Sequence, residues 1–134
     1  MNNYDVNEKL LNEAKEHYEE MQRAFKRNSW NRTIRRAQEV VELCLKGLLK
    51  AVGIEYPKVH DVSGVFARAC IQKGIEIDSK RLQEIKAISS DLAEKRAPAF
   101  YMEIDYTKQQ AEEAMQSAEK VFAVANKLSE DLKG

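Results

Sequence analysis

RAQEVVELCLKGLLKAVGIEYPKVHDV, residues 36–62, is the stretch that decides the fold. Its apolar residues recur at helical spacing over more than half of the helix circumference, which is typical of a central helix that packs on several sides. Gly53 then supplies the left-handed backbone in which helices end, and Pro57 keeps the chain after it extended. We therefore predict one long buried helix that ends near Val52. Its predicted core positions are Ala37, Val40, Val41, Cys44, Leu45, Leu48, Leu49 and Val52.

Polar residues in the same stretch have structural explanations. Glu42 and Lys46 lie one turn apart, acid first, which is the favourable order for an ion pair. Gly47 costs the helix about 1 kcal/mol relative to alanine, so we expect a neighbouring helix to approach closely there. Asp61 is expected to accept hydrogen bonds from the free amides of the next helix, with His60 hydrogen-bonded at the same corner. A catalytic or metal-binding role for this His-Asp pair is the alternative, but one pair lacks the other ligands or the nucleophile that such chemistry needs.

The rest of the sequence predicts an all-α fold, because helical spacing recurs and no segment alternates as a strand does. Short connections between long helices favour antiparallel neighbours, so we expect one domain over residues 1–134, an up-and-down helical bundle with its short third helix across one end. Pro98 is expected to end or kink the fourth helix near Ala97. Leu11 and Val124 are surplus apolar residues that could form a self-association face. The five predicted helices run from about Asp5 to Arg27, from Ser29 or Asn31 to Val52, from Asp61 to Gly74, from Asp78 or Ser79 to Ala97, and from Lys108 to Leu132.

The composition excludes several classes of protein. The 134 residues contain 22 Lys and Arg and 22 Asp and Glu, so no global field would attract nucleic acid or an anionic membrane. No apolar run reaches the length of a membrane span and the amino terminus has no signal pattern, so we expect a cytoplasmic protein without a membrane partner. Cys44 and Cys70 fall on apolar helix faces and lack the paired spacing of a zinc site. We therefore expect reduced thiols, no metal and no cofactor.

A local concentration of positive charge lies between Glu20 and Glu39, with no acid inside it. The cations at the end of the first helix complement the negative end of its dipole. Arg32, Arg35 and Arg36 lie instead in the first turns of the second helix, where the dipole disfavours each cation by about 0.3–1 kcal/mol. This choice suggests that an anion binds there, such as a nucleotide phosphate, RNA or an acidic protein surface; the alternative is a solvated face with intramolecular ion pairs. The whole cluster is Arg23, Lys26, Arg27, Arg32, Arg35 and Arg36.

Residues 36–62 resemble the HEPN family (higher eukaryotes and prokaryotes nucleotide-binding), in the variant whose helix reads AAELALKALL and is followed by G…P.THDL. The other predicted helices agree with a HEPN bundle in number and length. The resemblance implies a homodimer, since HEPN domains usually associate through helix faces. It also implies a prokaryotic two-component or toxin-antitoxin system with a minimal nucleotidyltransferase as partner protein. The matching residues are Ala37, Glu42, Leu43, Leu45, Lys46, Leu48 and Leu49 in the helix and Gly53, Pro57, His60, Asp61 and Val62 in the connector.

The same resemblance directs attention to Arg96. Ribonucleases of the family carry an Arg followed within two turns by a His near the end of the fourth helix, and two chains combine these residues as the cleavage site. Here the Arg is present, but Tyr101 stands at one position where that His would fall. A phenol is a poor general base at neutral pH, and the two histidines, His17 and His60, lie elsewhere in the sequence. Ribonuclease activity would require Tyr101 or His60 to replace the missing group.

What remains near Arg96 is a second cation, Lys95, and several aromatic rings. A guanidinium beside such rings can hold a nucleotide by pairing with its phosphate and stacking on its base. The alternative is structural, with Phe100 and Tyr106 sealing the end of the bundle and only Tyr101 left unexplained. Three functions stay open: a non-catalytic nucleotide- or anion-binding module, which we favour; a metal-independent ribonuclease toxin with a degenerate motif; and a scaffold that binds only protein.

Overall fold

A computed structural model describes residues 2–133 of the chain, and these residues form helices joined by short connectors. No strand occurs in that range, so the predicted all-α bundle is confirmed. None of the helices formed by these residues is long and apolar enough to cross a membrane. The helices are α1 (Asn3–Lys26), α2 (Trp30–Ala51), α3 (Ser63–Gln72), α4 (Ser79–Phe100) and α5 (Lys108–Lys133).

Helix α2 is central, because it contacts each of the other four helices. Seven of its eight predicted core residues are buried, and Val52, which follows the last turn, is half-buried. The ends of the helices show an antiparallel arrangement. The Asn7 amide at the start of α1 donates to the Gly47 carbonyl near the end of α2 at 2.9 Å, and Arg96 near the end of α4 bonds to Gln38 in the first half of α2 at 2.8 Å.

The close approach predicted at Gly47 is confirmed. A Cβ atom at this position would lie 3.5 Å from the Asn7 carbonyl oxygen and from side-chain atoms of Leu10 and Leu11 on α1. Leu11, however, is buried rather than available for self-association, so that prediction was wrong. The apolar face of α1 is wider than a single stripe because both α2 and α5 pack against it.

The connector between α2 and α3 is fixed at both ends. Gly53 has φ +76°, and the Ile54 amide returns to the Leu49 carbonyl at 2.9 Å, which completes the predicted helix-ending motif. At the other end, Asp61 Oδ1 accepts from the Ser63 amide at 3.0 Å and from the Ser89 hydroxyl of α4 at 2.7 Å. His60, one residue earlier, is thereby held beside α4.

Pro98 does not end the fourth helix near Ala97, so that half of the prediction was wrong. Helix α4 continues through it to Phe100, and the Tyr101 amide still donates to the Ala97 carbonyl at 2.9 Å. A proline removes only one backbone donor, and burial of Ala99 against the core keeps the last turn helical. Two predicted caps also differ, because Ser29 and Asp78 hold the N-cap positions of α2 and α4 without a side-chain hydrogen bond to the helix.

Candidate functional site

A groove of about 330 Å³ lies between the α2–α3 connector and the last turns of α4. It brings together three residues that sequence reasoning had singled out separately: His60, Arg96 and Tyr101. The sequence separation of His60 and Arg96 had counted against a shared site, but the Asp61 contact with α4 places the connector against that helix. We call this site the Arg96 groove; its lining residues are His60, Ala93, Arg96, Ala97, Phe100 and Tyr101.

The His60 ring is oriented by a carboxylate. Its Nδ1 lies 2.8 Å from Glu42 Oε1, and the other Glu42 oxygen lies 2.7 Å from Lys46 Nζ. Burial alone would raise the pKa of Glu42, but hydrogen bonds from Gln38, Lys46 and His60 outweigh burial and hold that pKa below its usual 4.5. The ionised carboxylate requires a proton on His60 Nδ1, which leaves Nε2 as the atom able to meet a ligand. Nε2 has no hydrogen-bond partner among residues 2–133, and the side chain is 56% exposed.

Gln38 connects the two halves of the groove, although sequence reasoning did not identify it. This residue is fully buried on α2. Its Oε1 accepts from Arg96 Nη1 at 2.8 Å, and its Nε2 donates to Glu42 Oε1 at 2.9 Å and toward the His60 carbonyl at 3.4 Å. The neutral amide therefore lies between the Arg96 cation and the Glu42 anion and hydrogen-bonds to both. It keeps Glu42 as the partner of His60 and leaves the remaining guanidinium nitrogens of Arg96 for the groove.

Arg96 itself is only partly neutralised. Its Nη1 lies 3.7 Å from Glu39 Oε1, too long for a good hydrogen bond, and a quarter of the side chain is exposed. Phe100, which under the structural alternative would seal the bundle end, is 49% exposed, so that alternative was wrong for this residue. The guanidinium carbon of Arg35 lies 4.7 Å from the centre of the Phe100 ring, a cation–π contact that holds a second cation beside the groove. Tyr106 is buried, as predicted.

The structure divides the basic residues predicted to bind an anion. Arg36 pairs with Glu20 at 3.1 Å and Glu39 at 3.2 Å, so much of its charge is already compensated. Arg35 belongs to the edge of the Arg96 groove, where burial and then the neighbouring Arg36 lower its pKa below its usual value. Arg32 is exposed and lines a different pocket at the α1–α2 turn. Lys95 pairs with an aspartate one turn earlier and does not line the groove.

A second residue missed by sequence reasoning, Asn31, fixes the far wall of the groove. Its side-chain amide donates to the carbonyls of Ala99 at 3.2 Å and Ile104 at 2.8 Å, and its oxygen accepts from the Tyr106 amide at 3.0 Å. The connector after α4 is therefore tied to the first turn of α2. The sequence pattern could have indicated Gln38, because Gln38, Glu42 and Lys46 form a polar stripe at four-residue spacing among the buried residues of α2. Asn31 had been interpreted only as a possible cap.

Within residues 2–133, no group of three or more His, Cys, Asp or Glu side chains is placed to hold a metal ion.

Comparison with known proteins identifies the fold family. Neither the curated proteins nor the solved structures gave a match to the chain. The family model described as the HEPN domain matches residues 7–128, which include every residue of the Arg96 groove. The chain therefore belongs to the HEPN domain family, whose members include nucleotide-binding and ribonuclease-type modules.

Proposed function

We propose that the chain is a binding module that holds a phosphate group of a nucleotide or RNA in the Arg96 groove. The observation that carries this proposal is the convergence of the Arg96 guanidinium, the His60 imidazole and two exposed rings on one groove. The volume of about 330 Å³ is at the lower end of the range of about 300–1,000 Å³ found for small-molecule sites. The guanidinium pairs with phosphate oxygens, while Phe100 or Tyr101 offers a face for a base.

The position of the cations supports the same proposal. Gln38 satisfies one nitrogen of Arg96, and the ion pair of Arg96 with Glu39 is long, at 3.7 Å, so an incoming anion competes only with a weak pair. Arg35, stacked over Phe100, adds a second positive charge at the edge of the groove. Since the chain carries equal numbers of acidic and basic residues, this charge is local and can direct a phosphate to one place.

A ribonuclease is the second candidate, and the Glu42–His60 pair favours it. In metal-independent cleavage, His60 Nε2 would take the proton of the 2′-hydroxyl and that oxygen would attack phosphorus. The bond to the 5′-oxygen would break, the Tyr101 hydroxyl would protonate the leaving oxygen, and a 2′,3′-cyclic phosphate would remain. Arg96 would stabilise the charge that develops on the phosphate oxygens. The groove offers only one imidazole for these two proton transfers, so we place binding first.

One experiment separates the two candidates. A fluorescently labelled single-stranded RNA is incubated with the protein in EDTA, its anisotropy gives the affinity, and a denaturing gel reports cleavage. We expect binding without cleavage, and we expect Arg96→Gln to weaken binding at least about tenfold, or roughly 1.4 kcal/mol. Arg68→Gln is the matched control, because Arg68 is an exposed arginine on α3 outside the groove.

The alternatives give different results. Unchanged affinity in Arg96→Gln would place the ligand elsewhere. Cyclic-phosphate products that disappear in His60→Gln would establish the ribonuclease. No binding of RNA or of any nucleotide would leave the protein-only scaffold.

We also propose that the chain acts as a homodimer beside a nucleotidyltransferase partner in a prokaryotic toxin-antitoxin system. This part rests on the family resemblance and on a run of exposed apolar side chains that starts in the groove wall with Phe100 and Tyr101 and continues beyond it with Met102 and Ile104. Sedimentation equilibrium tests the homodimer. We expect a dimer that Met102→Glu dissociates, and a monomer at micromolar concentration would contradict it.

A further inference from the structure

A second pocket, of about 230 Å³, lies at the turn between α1 and α2. Four arginines from the two helices converge on it, and Glu20 is the one carboxylate in its lining. Because the chain carries no net charge, four guanidinium groups around one small pocket are a marked local excess. We call it the arginine pocket; it is lined by Glu20, Arg23, Ala24, Arg27, Ser29, Arg32 and Arg36.

The single carboxylate does not neutralise this excess. Glu20 Oε2 lies 3.1 Å from Arg36 Nε, so these two opposite charges compensate each other. Arg23, Arg27 and Arg32 are exposed and form no ion pair with any of residues 2–133. Three uncompensated cations therefore surround the pocket and repel one another until an anion joins them.

The ordinary explanation by helix dipoles covers only part of this set. Arg23 lies in the last turn of α1, where a cation is favourable. Arg32 lies in the first turn of α2, where the dipole is positive and no acidic residue is present to complement it. The Ser29 side chain makes no cap bond, so the first amides of α2 have no side-chain acceptor on that side. Both observations indicate that the start of α2 can bind an anion from outside the chain.

Arg35 joins this pocket to the Arg96 groove. Its guanidinium lies over the Phe100 ring in the wall of the groove, and on α2 it stands between Arg32 and Arg36, which line the arginine pocket. Arg36 and Arg96 also share Glu39, at 3.2 and 3.7 Å. A line of cations thus leads from the groove to the α1–α2 turn.

We propose that the arginine pocket is a second phosphate site, which takes a backbone phosphate of the same strand whose other phosphate occupies the Arg96 groove. This inference rests on the proposed binding function and deepens it, because the two pockets share no lining residue and a ligand with one phosphate in each is an oligonucleotide rather than a mononucleotide. Arg23, Arg27 and Arg32 are the residues that contact the phosphate. Binding then strengthens with strand length and weakens with added salt.

The test compares a dinucleotide and an octanucleotide of single-stranded RNA over a range of salt concentrations. In the variant with Arg23→Gln, Arg27→Gln and Arg32→Gln, we expect the octanucleotide to bind at least about tenfold more weakly. Affinity falls with added salt, and each lost phosphate contact makes the slope of log affinity against log salt concentration less negative by about 0.7 for a single strand. The dinucleotide, which reaches only the groove, keeps its affinity. The control variant carries Lys80→Gln, Arg81→Gln and Lys120→Gln, which removes the same charge from the far pocket beside Glu84.

Equal octanucleotide affinity and salt slope in the triple arginine variant and the wild type would overturn the inference, as would equal losses in the two triple variants. The single variant Arg32→Gln is a second test. Removal of a cation from the first turn of α2 should raise the free energy of unfolding, while octanucleotide binding should become weaker. Failure of the proposed function looks different: Arg96→Gln would leave dinucleotide affinity unchanged, whatever the arginine pocket does.

Discussion

Replacing Gln38 by methionine tests whether this buried amide organises the Arg96 groove. The change keeps the length and most of the volume of the side chain but removes its bonds to Arg96 and Glu42, at 2.8 and 2.9 Å. Hydrogen bonds to charged groups contribute about 1.5–3 kcal/mol each, and Arg96 recovers part of its loss through solvent. We therefore expect the free energy of unfolding to fall by about 2–3 kcal/mol, with a decrease in Tm of about 6–12 °C.

Urea denaturation of Gln38→Met, Arg96→Met and the double variant measures the coupling between the two residues. We expect a coupling energy of about 1–2 kcal/mol, because each single variant leaves the other partner without its bond. Gln109→Met is the matched control, since Gln109 is exposed on α5 and bonds only to Glu113; we expect a change within about 0.5 kcal/mol. If the two single losses add within about 0.3 kcal/mol, Gln38 does not hold Arg96 in place.

Other predictions concern the connector and the core. The pKa of Asp61 in the folded protein is held below 3.8, because hydrogen bonds from Ser63 and Ser89 outweigh burial. The ionised carboxylate therefore contributes its full stabilisation above pH 3.8, and this stabilisation is lost as the pH falls through the lower pKa of the folded state. Asp61→Asn should therefore lower the free energy of unfolding by about 1–2 kcal/mol at pH 7, and this free energy should fall less steeply in acid than that of the wild type. Equal acid dependence of the two proteins would contradict this. Gly47→Ala should raise Tm, because the new methyl meets its neighbours at 3.5 Å and the helix gains about 1 kcal/mol, whereas Gly53→Ala should lower Tm because φ is +76°. Burial raises the pKa of Cys44 and brings that of Cys70 to about 11, so a thiol reagent at neutral pH should label neither until urea unfolds the chain. Fast labelling of Cys70 in the native protein would refute the packing of α3.

Local rules predicted the bundle well because α2 follows them closely. Its apolar spacing marked the core, and the turn at Gly53 has the hydrogen bond to Leu49 that a helix-ending glycine requires. The same rules allowed α4 to end at Ala97, whereas burial of Ala99 against the core accompanies a helix that continues to Phe100. They also failed at Leu11, whose burial depends on two neighbouring helices rather than on the spacing within α1.

The candidate site was only partly accessible to sequence reasoning. Chemistry of single residues was sufficient to select Arg96 and Tyr101, but their relation to His60 depends on a connector that Asp61 fastens to α4. Pattern alone also treated Arg32, Arg35 and Arg36 as one patch, although neighbours on a helix point in different directions. The structure assigns the first to the arginine pocket, the second to Phe100 and the third to glutamates.

Asn31 bonds to three backbone groups, and these bonds tie the end of α4 to the entry of α5, so both are expected to open together. Its backbone partners, Ala99, Ile104 and Tyr106, lie along the connector from α4 to α5. Loss of the Asn31 side chain therefore removes hydrogen bonds at both ends of that connector. Among residues 2–133, the Tyr106 amide donates to Asn31 Oδ1, so its rate of hydrogen exchange measures how often this connector opens. Arg32 follows Asn31 directly, so fraying of the first turn of α2 would also loosen the arginine pocket.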